Sequence, residues 1–125
     1  MNGRTRLYNA LNVAAITNLL DSYGGEPAIF SGTRIPESFS GDNVINFFRN
    51  GNVNNGIEYN EYPYLINCRA ASDYESEELA QAVIDEINRA AVTDGLVYCE
   101  LLATIPPADE TDLYNTPITV IMKTR

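Results

Sequence analysis

Histidine is absent from the chain, Lys123 is its only lysine, and Cys68 and Cys99 stand alone without a CxxC pair. Together these gaps remove the usual zinc-ligand sets and the histidine-activated serine or cysteine nucleophile. No apolar run approaches the roughly 20 residues that span a bilayer. The N-terminal "MNGRTRLYNAL" carries two arginines but no apolar signal-peptide core, so the expectation is a cytoplasmic product. Basic residues are also scarce, 8 against 17 acidic, for a formal charge of -9. Such a chain is a poor nucleic-acid wrapper, since phosphates demand a Lys/Arg surface. It can still surround a duplex without holding it. A phosphate-binding loop is missing too: "SYGGEP" has the glycines but not the Lys-Ser/Thr that would give them meaning.

What remains is an ordinary globular composition over 125 residues, with 45% hydrophobic and 20% charged residues, which predicts one domain over residues 1–125. "TRLYNALNVAAITNLL" predicts a helix from Thr5 to Leu20, with Leu7, Leu11, Ala14, Ala15 and Leu19 as its apolar stripe. Thr5 can cap its start and Gly24-Gly25 its end. "PAIFSGTRIP" and "NVINFFRNG" predict two strands, and the turn formers of "NGNVNNG" lead into a longer strand, "IEYNEYPYLINCRA". In that strand Tyr62, Tyr64, Ile66 and Cys68 alternate with Leu65, Asn67 and Arg69. "SDYESEELAQAVIDEINRAAVTDG" predicts the second helix, with Leu79, Val83 and Ile87 on its apolar stripe. Ser72 and Glu75 have capping-box form, and Gly95 suits the αL cap. "LVYCELLATI" and "TPITVIMKT" close the chain as strands. The order α-β-β-β-α-β-β predicts an α+β fold, two main helices packed on one side of a small, mainly antiparallel sheet. Both cysteines fall in strand-like runs, so buried thiols without a disulfide are expected.

Candidate chemistry is thin. Asp109, Glu110 and Asp112 in "TIPPADETDLYN" lack the spacing, glycine and distant glutamate of an EF-hand loop. Pro106 and Pro107 end the strand before them, and the segment is expected to be an exposed connection with no metal bound. Its acids could meet Arg34 or Arg49 of a neighbour. Glu75, Glu77, Glu78, Asp85 and Glu86 suit the dipole and the solvent face of the second helix, and their spacing builds no glycosidase carboxylate pair. No catalytic, cofactor-binding or metal-ligating residues are assigned, and no cofactor is expected. The eight tyrosines and four phenylalanines are more suggestive. Tyr59, Tyr62, Tyr64, Phe47 and Phe48 fall on both faces of adjoining strands. A sheet covered on one side would leave some of them exposed for contact with another subunit.

From Leu7 to Thr124 the layout resembles the tail completion or tail terminator proteins of tailed bacteriophages. The resemblance lies in the helix "RLYNALNVAAITNLL", then "AIFSGTRIP", "YPYLINCRAAS", "ESEELAQAVIDEINRA" and the closing "IPPADETDLYNTPITVIMKT". It implies a non-enzymatic virion protein of the tail and neck, assembled in the host cytoplasm. Copies would form a ring, typically a hexamer, that caps the tail tube and joins it to the head. The implied partners are other copies, the major tail tube protein and the connector or stopper protein. DNA would pass through the channel without specific binding, and no membrane is involved. The hairpin "RNGNVNNG" is longer than that family leads one to expect. A head-tail adaptor or stopper is the neighbouring alternative. A small enzyme, betrayed by strong divalent-cation binding, and a monomeric binding module, betrayed by failure to assemble, are the readings from other classes.

Overall fold

In a computed structural model, residues 3–51, 54–56, 60–94, 97–101 and 113–124 are described. They form an α+β domain whose helices pack on one face of a six-stranded sheet. Helix α1 is Gly3–Leu11, α2 is Ala14–Thr17 and α3 is Asp73–Asp94. Strands β1 (Ser22–Tyr23) and β2 (Glu26–Pro27) make a separate hairpin. Strands β3 (Ile29–Ser31), β4 (Val44–Arg49), β6 (Asn60–Ala70), β8 (Tyr114–Thr124) and β7 (Val97–Leu101) lie side by side in that order. The short β5 (Asn54–Asn55) pairs with β6.

The expected first helix is broken. Val13 is extended (φ -128°, ψ 153°), so α1 ends and the chain restarts as α2. The break re-aims the apolar residues: Leu7, Leu11 and Ile16 are buried, whereas Ala14 and Ala15 of the expected stripe are exposed and Leu19 is half-buried. Gly24 and Gly25 do not cap a helix. They are the two turn residues of the β1–β2 hairpin, at φ +60° and +84°, the pair of positive angles that a type I′ turn requires and that glycine adopts without strain.

All but one of the pairings in the large sheet are antiparallel. The exception joins β3 to β4 in parallel, which obliges residues 32–43 to cross from one end of the sheet to the other. Asp21 holds the return of that crossing: its Oδ2 accepts the N–H groups of Asp42 (2.7 Å) and Asn43 (2.9 Å). Gly41 must be glycine-sized for this, since a Cβ there would lie 2.8 Å from the Asp21 side chain.

Two prolines sit inside long strands without breaking them. The Asn50 N–H donates to the Pro63 carbonyl (2.9 Å), so the polar edge of Pro63 faces β4 at the last rung of that ladder. Pro117, opposite Asn67, belongs to the same register class as Pro63 opposite Ile121. Neither ring therefore removes a donor from the β6–β8 ladder.

The core lies between sheet and helices. Ile45 and Phe47 of β4, Tyr64, Ile66 and Cys68 of β6, and Ile118, Val120 and Met122 of β8 meet Leu7, Leu11 and Ile16 from the first helices. From α3 come Leu79, Val83 and Ile87, as their spacing predicted, with Ala80 beside them. Ser72 caps α3, its Oγ accepting the Glu75 N–H (3.2 Å). A polar link crosses the core. Ser76 Oγ donates to the Cys68 carbonyl (2.8 Å) and shares a hydrogen bond with Thr116 Oγ1 (2.7 Å), fastening α3 to β6 and β8.

Cys68 is fully buried. It stands opposite Thr116, and Cys99 opposite Val120, with β8 between their strands. Two strand spacings of about 4.8 Å and an offset along β8 separate them by well over the roughly 7 Å that a disulfide spans. The register thus forbids a bridge within one copy.

Candidate interaction surface

The outward side of α3 carries a shallow concave surface. At about 100° per residue, Tyr74, Glu78, Gln81 and Asp85 project roughly half a turn away from the Leu79, Val83 and Ile87 stripe, so they point away from the sheet. With Leu19 and Ala82 they line a groove of about 570 Å³. Leu19 reaches it because the chain turns there after α2, and Asn43 Nδ2 pins its carbonyl (2.8 Å). Gln81 Nε2 donates to Asp85 Oδ1 (3.0 Å) one helical turn on, which steadies one wall. Tyr74, at 71% exposure, is the single exposed large hydrophobic side chain among the described residues. An aromatic ring left in water beside half-buried Leu19 and Ala82, and rimmed by carboxylates, is the composition of a protein contact.

The opposite face of the sheet is polar at its centre. Asn46 is fully buried and Asn67 nearly so. Asn46 Nδ2 donates to the Gly32 carbonyl (3.1 Å), and Arg69 Nε donates to Asn46 Oδ1 (3.2 Å). Asn115 Nδ2 donates to Asn67 Oδ1 (2.9 Å), while Asn115 Oδ1 is buried without a hydrogen bond among the described residues. Burial lowers the Arg69 pKa below the ordinary guanidinium value. Beside this network the rings of Phe30, Phe39 and Tyr23 cluster, Tyr23 to Phe30 at 5.3 Å and Phe30 to Phe39 at 5.9 Å. The Tyr23 hydroxyl also bonds Ser38 Oγ (2.6 Å). These contacts fold the 32–43 crossing back over this face.

The acids expected on the solvent side of α3 divide in two. Glu75, Glu77, Glu78 and Asp85 are exposed, whereas Glu86 is half-buried and accepts a 2.6 Å hydrogen bond from Arg89 Nη1. The sheet aromatics do not behave as expected. Phe47 and Tyr64 are buried, and Phe48 and Tyr62 are half-buried, because cross-strand neighbours and the core cover them. Burial raises the Tyr64 pKa above the ordinary phenol value, while Arg4 and Arg49 oppose the shift. Tyr59, Gly95, and Asp109, Glu110 and Asp112 lie outside the described residues. Among the described residues no three acidic or cysteine side chains gather as a metal site, and no helix is long and apolar enough to cross a membrane. Tyr74 is the functional candidate that sequence reasoning missed. Its signal was legible, an aromatic placed among acids on the polar side of an otherwise regular amphipathic helix.

No protein-family model matches the chain, and no match appears among curated proteins.

Proposed function

We propose that this chain is a structural virion protein that assembles into a ring, terminates the tail tube of a tailed bacteriophage and joins it to the head. The observation that supports this best is the groove around Tyr74: a solvent-exposed aromatic on a helix otherwise anchored to the core, set in an apolar trough. Such a surface serves binding to another protein. The sequence resemblance over Leu7 to Thr124 supplies the kind of assembly, with six copies favoured, the tube protein on one side and the connector or stopper on the other. The formal charge of -9 suits a channel wall that repels DNA phosphate and lets the duplex pass. In this reading the protein has no catalytic residues.

Sedimentation velocity at rising concentration, with and without purified tail tubes, tests the proposal. Closed oligomers, or co-sedimentation with tubes, are expected. A chain that stays monomeric and ignores tubes overturns it.

A further inference from the structure

Resting on that ring reading, we infer that the groove on α3 receives the Arg34–Ile35–Pro36 segment of a second copy. The groove offers an apolar floor from Leu19 and Ala82, an aromatic face from Tyr74, and carboxylates from Glu78 and Asp85. The matching occupant is a cation attached to apolar neighbours, because an Arg stacks on a tyrosine ring and pairs with carboxylates while its neighbours cover the floor. In a chain with 17 acidic and 8 basic residues, few segments have that chemistry.

Arg34 is exposed in the 32–43 crossing and is followed by half-buried Ile35 and Pro36. Four of the other seven cations fit less well. Arg4 and Arg49 lie near enough to Tyr64 to act on its hydroxyl, which places them at one end of the core. Arg69 is half-buried and bonded to Asn46, and Arg89 is engaged with Glu86.

Position favours the same pairing. The groove points away from the sheet on the helix side, while Gly32 and Phe39, which flank the Arg34–Pro36 segment, are held over the other face by Asn46 and Phe30; only the end of the crossing, Asn43, returns to Leu19. Plug and socket therefore lie on opposite sides of one copy. Each subunit can offer its loop to one neighbour and its groove to the other, the heterologous contact that closes into a ring when the rotation permits.

The test is charge reversal on each face of the full chain, with sedimentation velocity as readout. Arg34→Glu alone, or Glu78→Lys with Asp85→Lys, should each weaken self-association by about tenfold or more. Circular dichroism should show both variants folded, since the altered side chains are exposed. Mixing the two variants should restore assembly as alternating copies, because each plug then meets a socket of opposite charge, in the original sense at one contact and in the reversed sense at the next. The triple variant carrying all three reversals should regain assembly. If the wild type assembles and all variants assemble equally, the groove contact is wrong while the ring reading stands. If Arg4→Glu disrupts assembly and Arg34→Glu does not, the occupant is the first helix and the inference fails. A wild type that is monomeric even at concentrations on the order of 1 mM, and with tail tubes present, overturns both readings.

Discussion

Replacing Ser76 with alanine removes a polar link that ties α3 to two strands across the core. Ser76 is completely buried, and its hydroxyl has a single proton, which goes to the Cys68 carbonyl (2.8 Å). The Thr116 hydroxyl must then donate to Ser76 Oγ (2.7 Å), so the two side chains form a directed chain from β8 through α3 to β6. Each bond contributes about 1 kcal/mol net, and a buried group that loses its partner adds to the loss, so Ser76→Ala should destabilise by about 2 kcal/mol. Thr116→Val removes one bond but leaves Ser76 donating to Cys68, so about 1 kcal/mol is expected. The double variant should lose less than the two singles together, with a coupling energy of about 1 kcal/mol, because the Thr116–Ser76 bond is counted in both. Urea unfolding of the four proteins at pH 7 measures the cycle. Strict additivity, or a Ser76→Ala protein within about 0.5 kcal/mol of wild type, would refute the assignment.

Other outcomes follow from the same packing. Val83→Asp places a carboxylate at a fully buried position against the sheet and should leave little soluble protein, whereas unchanged thermal stability would show that the wrong face of α3 was assigned. Tyr64 is kept protonated by burial in the folded state, so its contribution should be intact below the ordinary phenol value of about 10 and lost as pH rises through the elevated folded value. Thermal melts from pH 8 to 12 check this, and a midpoint unchanged by Tyr64→Phe across that alkaline range would contradict it. Alkylation under denaturing, non-reducing conditions should modify both Cys68 and Cys99, and a 2 Da deficit in an unmodified monomer would contradict the strand register.

The second helix was legible because local signals agree there. A capping serine, first-turn acids and the Leu79, Val83, Ile87 stripe all specify one face before any partner is known. The α+β class was legible for a related reason, since alternation along 60–70 and 116–122 shows one buried face per strand. The break at Val13 was not. An apolar spacing continues plausibly through Asn12 and Val13, and only the tertiary core decides that Ile16, rather than Ala14 or Ala15, turns inward. Gly24-Gly25 satisfies a helix cap and a two-residue hairpin equally well, because both use positive φ. The parallel β3–β4 pair joins residues separated by the whole 32–43 crossing, and no local pattern encodes such a partner. For the candidate surface, the acids of α3 were visible as a solvated face, but Leu19 comes from a distant turn. Its arrival beside Tyr74 converts a charged helix face into a groove.

The central claim is that copies of this chain close into a ring on the end of a tail tube. Electron microscopy of purified tail tubes incubated with the purified protein tests it most directly. The account predicts added ring density at one end of each tube, six copies deep in symmetry, and closed rings of the same diameter in the protein-only fields at high concentration. Bare tube ends beside a saturating excess of folded, monomeric protein would contradict it.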